Sequence, residues 1–156
     1  MRNLLLLTLC LVPLAPAWAG KYNKTLSIGD PAPAWSDLPG VDGKQHSLAD
    51  FKDRDVLVIV FSCNTCLYAQ DHEDRLMALQ KKFNESDTCA LIAICSNKVK
   101  DDLLPAMTER ANQRGFNFPY VHDETQQVAR AHGATYTPEF VVLDKDRKVV
   151  YLGAMD

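Results

Sequence analysis

Val56-Leu57-Val58-Ile59-Val60-Phe61-Ser62-Cys63-Asn64-Thr65-Cys66 is an apolar run that delivers two cysteines to the start of a stretch with helical periodicity, Leu67 to Phe83. A short, continuous, β-branched run of this kind is the pattern of a strand buried on both faces. At a helix start the unpaired backbone N–H groups and the positive end of the dipole favour an anion, so a cysteine there ionises readily. Only the thiolate attacks a disulfide. Residues i and i+3 of a first helical turn share a face, close enough to close a small disulfide ring. The spacing of Cys63 and Cys66 therefore suits a switch between dithiol and disulfide. A zinc half-site and a static disulfide are the alternatives. A closed zinc site takes four ligands, and no second Cys pair or His pair at short spacing stands in the chain.

Outward from this stretch, strand and helix alternate. The pattern predicts a strand at 56–61, a helix at 65–83, a strand at 89–95, a helix at 101–114, a short strand at 118–121 and a helix at 124–131. Glu139 to Leu143 and Lys148 to Leu152, flanking Asp144-Lys145-Asp146-Arg147, close the chain as a hairpin. Upstream, 35–38 and 44–47 on either side of Gly40 to Gly43 read as a smaller hairpin, followed by a helical turn at 48–51. This order implies an α/β protein with a central mixed β-sheet flanked by helices and an N-terminal hairpin extension.

Arg2, the apolar Leu4 to Leu14 and the small-x-small Ala17-Trp18-Ala19 make residues 1–19 a signal peptide. The apolar core is too short for a permanent span. Residues 20–156 then read as one exported domain, periplasmic or extracellular, without repeats or linkers. The net charge of −3 and the absence of any Lys/Arg run argue against nucleic acid and against stable membrane association. Export puts Cys63, Cys66, Cys89 and Cys95 in an oxidising compartment. Along a straight strand Cys89 and Cys95 would lie about 20 Å apart, beyond disulfide reach. Both read as small core side chains, although Cys95, at the C-terminal end of its strand, is placed to be a third thiol near the pair. Asn23-Lys24-Thr25 and Asn84-Glu85-Ser86 match the glycosylation pattern.

Thr137-Pro138 precedes an apolar strand. The proline either simply starts that strand or forms a cis bond in a loop facing the dithiol, with the backbone of Thr137 free to pair with an extended substrate segment. Trp35, Tyr68, Tyr136 and Phe140 read either as core packing or as an apolar rim for a docked peptide. Asp71, His72, Glu73, Asp74 and Arg75 read as the solvated face of the helix that follows the cysteines. His122 and His132 reach the dithiol only if the fold brings them there.

Taken together these residues resemble the thioredoxin-like redoxin superfamily, which includes the alkyl hydroperoxide reductase and thiol-specific antioxidant proteins. The resemblance runs from Ile28-Gly29-Asp30-Pro31-Ala32-Pro33 through the strand and its Cys-Asn-Thr-Cys to Asp123 to Ala134 and Thr137-Pro138-Glu139-Phe140. It implies a thioredoxin-like fold, Cys63 as attacking thiol, Cys66 as resolving thiol, Pro138 as the cis-proline opposite them, and Thr137 and Pro138 as the substrate-binding pair. It further implies an exported thiol-disulfide oxidoreductase acting on protein thiols or disulfides, with a redox donor or acceptor and with no cofactor or metal. Three departures stand out. The Pro and the Thr or Ser that peroxiredoxins place before their reactive cysteine are absent: counting back from Cys63 meets Val60 and Val56, from Cys66 it meets Cys63 and Ile59. The buried acid of thioredoxins is Leu57 here, and the chain reaches Asp156 where a last helix would cover one sheet face. The competing readings are a thiol-dependent peroxidase and a Cu(I)-binding chaperone of the same fold, since paired thiolates are soft ligands.

Overall fold

Six consecutive apolar residues make β3 (Val56–Phe61) the centre of the molecule because both of its faces are covered. The computed structural model describes residues 23–155; the signal peptide expected at 1–19 lies outside them. Around β3 the chain builds a five-stranded sheet whose other members are β4 (Cys89–Cys95), β5 (Tyr120–His122), β6 (Glu139–Leu143) and β7 (Val149–Gly153), in the order β5-β4-β3-β6-β7. The β3–β4 and β4–β5 pairs are parallel, while β3–β6 and β6–β7 are antiparallel. The expected mixed sheet is therefore present, parallel on one side of β3 and antiparallel on the other. The N-terminal hairpin is shorter than its pattern suggests: β1 (Leu38–Pro39) pairs with β2 (Gln45–His46), and a 3-10 turn follows at Leu48–Phe51.

Side-chain alternation along the strands sorts the apolar residues into two layers. Leu57, Ile59, Phe61, Ile92, Ile94, Val141 and Leu143 face α3 (Gln127–His132) and the N-terminal segment, with Trp35 and Leu38 packed on top. Val58, Val60, Leu91, Ala93, Cys95 and Phe140 share the opposite layer with Leu76 of α1 (Leu67–Ser86) and Met107 of α2 (Leu104–Arg114). Leu57 is thus a core residue, where burial of a leucine stabilises the fold by about 1.5–3 kcal/mol.

The helices begin later than their patterns predict. The α1 helix starts at Leu67 rather than at 65 and runs to Ser86, where Asp87 adopts the left-handed conformation (φ 53°) and donates its N–H to Phe83 O. The stretch from 101 divides into a 3-10 turn at Lys100–Asp102 and α2, which opens on Leu104-Pro105, the position where a proline costs no hydrogen bond. Glu73, expected on a solvated face, is buried because Arg110 Nε (2.5 Å) and Arg114 Nε (2.8 Å) of α2 close on its carboxylate. His72 is likewise not simply solvated. It is half-buried, with Nδ1 2.7 Å from Tyr68 O and Nε2 3.0 Å from Met155 O, and its ring packs 6.3 Å from Phe140.

His132 is fully buried against Phe61, ring centroids 5.5 Å apart. Its Nδ1 donates to Val128 O (2.9 Å), while Nε2 has no hydrogen-bond partner among the described residues. Burial lowers its proton affinity, and the Val128 carbonyl and Asp123 only partly offset that. The unfolded chain, with an ordinary histidine near 6.5, therefore binds more protons than the folded one once the pH falls below about 6.5. Stability is full above that pH and declines below it. We expect the thermal midpoint to drop between pH 7 and pH 5, and His132→Leu to flatten that slope, as read by scanning calorimetry across pH. Asn23 is also buried, its Nδ2 donating to His132 O (2.7 Å) and its Oδ1 accepting from the N–H groups of Thr25 and Leu26 (both 2.9 Å).

Candidate active site

The Cys-Asn-Thr-Cys segment is the loop that joins β3 to α1. Cys66 is the N-cap of α1, in extended backbone (φ −86°, ψ 116°), and no acidic residue occupies the first turn. Its carbonyl accepts the N–H of Gln70 (3.0 Å), the first bond of the helix. Cys63 lies upstream of the helix and is 4% exposed, packed into the layer beneath α1, whereas Cys66 is half-buried. This reverses the expected arrangement. The pattern places Cys63 exposed at the start of a helix over 65–83; the helix instead begins at Leu67, so that Cys66 is its cap and Cys63 is enclosed.

Hydrogen bonds to both middle residues account for the difference. Asn64 is buried, with Nδ2 donating to Asp101 O (2.8 Å), Oδ1 accepting from Tyr120 OH (3.2 Å) and its carbonyl accepting from Gln70 Nε2 (2.6 Å). Thr65 donates its N–H to Asp102 Oδ1 (3.0 Å) and its hydroxyl to Asp102 Oδ2 (2.7 Å). The bonds to Asp101 and Asp102 are made with the 3-10 turn after β4, and with those from Tyr120 and Gln70 they hold residues 64 and 65 out of the helix, leaving the cap to Cys66.

The second wall of the site is the loop before β6. The Thr137-Pro138 bond is cis, as the resemblance implied. Glu139 Oε2 accepts the N–H of Thr135 (2.9 Å) and fastens the loop; burial raises the affinity of this carboxyl for its proton, partly offset by the N–H groups of Thr135 and Tyr136. Thr137 touches both sulfurs. The Cys66 thiol donates to Thr137 O (3.1 Å), and Thr137 Oγ1 lies 3.3 Å from Cys63 Sγ.

For Cys66, burial favours the neutral thiol, but hydrogen bonding by the Thr137 side chain and by the N–H groups of Ala69 and Tyr68 outweighs it and the opposing charge of Asp102. The net result is a thiol more acidic than an ordinary cysteine. Cys95 behaves oppositely. Its Sγ–H donates to Asp102 O (3.4 Å), and burial, with smaller contributions from Asp102 and Cys63, pushes the thiol up to about 12. It is near the pair, as its strand position suggested, but it stays protonated at physiological pH. Tyr120 is also held protonated, by burial first and by Cys95, Cys63 and Asp102 after it.

The four aromatics divide. Trp35 and Phe140 are core residues, while Tyr68 and Tyr136 are 74% and 42% exposed; Tyr136 directly precedes Thr137, and exposed Leu67 separates Cys66 from Tyr68 in sequence. His122 bonds Asn97 O (3.3 Å). Among the described residues no group of three or more His, Cys, Asp or Glu is placed to hold a metal ion, and no helix is long and apolar enough to cross a membrane. Asp102, Tyr120 and Glu139 were missed by sequence reasoning, since none stands near the cysteines in sequence.

Residues 28–152 match the AhpC/TSA family, and the chain belongs to that family. Among solved structures it is similar to an uncharacterized conserved protein from Geobacillus kaustophilus, at 34% identity over 86% of this chain and 72% of the other, with a TM-score of 0.80. A hypothetical protein from Sinorhizobium meliloti is similar at 30% identity over 86% and 74%, also with a TM-score of 0.80. The thioredoxin domain of a thiol-disulfide oxidoreductase from Bacteroides vulgatus shares the fold, with a TM-score of 0.70 at 17% identity over 84% and 91%. The fold is thus thioredoxin-like. No curated protein matches the sequence.

The difference in burial predicts the order of chemical modification. Iodoacetamide on the reduced, folded protein should label Cys66 at least about tenfold faster than Cys63 or Cys95, since attack needs both access and thiolate. Mass mapping of a time course checks it.

Proposed function

We propose that the protein is an exported thiol-disulfide oxidoreductase in which Cys66 is the attacking thiol and Cys63 the resolving one. The observation that carries this reading is the position of Cys66: helix N-cap, half-buried, within hydrogen-bond distance of Thr137, with Cys63 behind it against the same threonine. The roles are the reverse of those the resemblance implied. The more accessible sulfur, whose thiol is more acidic than an ordinary cysteine, meets the partner, and the enclosed sulfur is protected from external disulfides.

In the reducing direction the Cys66 thiolate attacks one sulfur of a partner disulfide. That S–S bond breaks, a Cys66–partner disulfide forms, and the first partner sulfur leaves as a thiolate that takes up a proton. Cys63, losing its own proton, then attacks Cys66 Sγ. The Cys63–Cys66 disulfide closes and the second partner thiol is released, so two electrons have passed from the dithiol to the partner. Oxidation of a partner dithiol runs the same steps backwards. The Thr137 hydroxyl stabilises sulfur charge, and the Thr137 backbone beside cis-Pro138 supplies main-chain groups to an extended partner segment. Exposed Leu67, Tyr68 and Tyr136 add apolar contact around Cys66. The pattern at residues 1–19 supports export, where such partners carry disulfides.

The test is trapping with a disulfide substrate such as oxidised insulin. The C63S variant should accumulate a mixed disulfide at Cys66, while C66S should form none and lose turnover by at least about 10³-fold. Stable trapping in C66S through Cys63 would reverse the roles. Membership of the AhpC/TSA family gives a second reading, consumption of peroxide with Cys66 oxidised to sulfenic acid and resolved by Cys63. Peroxide-dependent turnover of a thiol donor with inert disulfide substrates would favour it.

A further inference from the structure

Asp102 is fully buried, and both of its oxygens accept hydrogen bonds: Oδ1 from Thr65 N–H (3.0 Å), Oδ2 from Thr65 Oγ1 (2.7 Å) and from Asn97 Nδ2 (2.8 Å). Accepting at every contact is the pattern of an ionised carboxylate. No Arg, Lys or His forms an ion pair with it among the described residues. A buried charge without a counter-charge costs several kcal/mol before its hydrogen bonds offset it. Holding Thr65 alone does not require that charge, because a neutral amide offers the same reach.

The charge sits where it acts on the chemistry. Thr65 immediately precedes Cys66, and its two bonds to Asp102 are what keep residue 65 out of the helix. The first turn of α1 brings no acid to the Cys66 sulfur. The cis-proline loop brings the Thr137 hydroxyl and carbonyl, the β3–α1 loop brings the Cys63 thiol, and the nearby Glu139 is spent on Thr135 N–H. Among the described residues Asp102 is the charged group that opposes the thiolate of Cys66.

We infer that Asp102 is a positioning residue for Cys66: its carboxylate fixes Thr65 so that Cys66 caps α1, and its charge restrains the ionisation that the cap promotes. The inference rests on the reading of Cys66 as the attacking thiol. The same buried carboxylate thus fixes the geometry and sets the balance between thiol and thiolate. Removing the charge stabilises the dithiol form through its thiolate, which makes the couple a stronger oxidant.

Two substitutions separate the contributions. In D102N the amide oxygen can still accept Thr65 N–H and the amide nitrogen can donate to the Thr65 hydroxyl, so the tether to Thr65 survives while the charge is lost, and the Asn97 amide must turn its oxygen to the new NH2 group. In T65V the shape and the charge stay, but the hydroxyl that quenches the charge is gone. The measurement is the rate of iodoacetamide alkylation at Cys66 against pH, resolved by mass, with the thermal midpoint followed in parallel. D102N should move the ionisation midpoint down by about half a pH unit or more, roughly threefold more thiolate at neutral pH, and T65V should move it up. Midpoints unchanged in both variants, or shifted upward in D102N, would overturn the inference even if thermal stability falls, since a merely structural role moves stability alone. If D102N does not fold, T65V decides: an upward shift supports the inference and an unchanged midpoint refutes it. The alkylation profile needs no disulfide to form, so this result stands apart from whether the pair cycles.

Discussion

One contact joins the parts of the chain that make the site. The Cys66 thiol reaches the carbonyl of Thr137, 71 residues away, and the hydroxyl of the same threonine reaches Cys63. Everything else in the molecule serves that meeting. The antiparallel pairing of β3 with β6 aligns Phe61 with Glu139, so the loop leaving β3 and the loop entering β6 lie side by side at one end of the sheet. A shift of one residue in that register would turn every side chain of β6 to the wrong layer. The core on both faces of β3 makes such a shift costly, and the geometry of two sulfurs is thereby secured by the packing of a strand.

A second constraint acts from the neighbouring strand. The 3-10 turn after β4 takes hold of Asn64 through Asp101 and of Thr65 through Asp102, while Tyr120 at the start of β5 holds Asn64 from beneath. Three consecutive strands thus each contribute to the conformation of four residues. The intervening Asn and Thr, which carry no charge of their own, matter because their side chains are the handles by which the rest of the fold grips the loop. Departures from the wider thioredoxin pattern become intelligible in this light. Leu57 fills the place of a buried acid with core packing, and the acid that approaches the dithiol is Asp102, from the 3-10 turn after β4.

The alternation of strand and helix, the mixed sheet and the placement of Cys63 and Cys66 between β3 and α1 were all legible in the sequence, because burial on two faces and helical periodicity leave strong signatures. The family resemblance added the cis bond before Pro138. What the sequence did not disclose was the point at which α1 begins. Periodicity marks the apolar face of a helix but says little about its first residue, and here the start is set by contacts from Asp101, Asp102 and Tyr120, which are distant in sequence. Because those contacts hold residues 64 and 65 out of the helix, Cys66 caps α1 and Cys63 is enclosed. The burial of Glu73 and the anchoring of His72 were hidden for the same reason, since their partners, Arg110, Arg114 and the backbone of Met155, come from other elements.

The most direct measurement is a redox titration of the reduced full chain in dithiothreitol and glutathione buffers, with thiols alkylated and mapped by mass at each potential. The account predicts one reversible two-electron transition confined to Cys63 and Cys66, with Cys89 and Cys95 unchanged throughout. A pair that never closes, or a transition that engages Cys95 in place of Cys63, would contradict it.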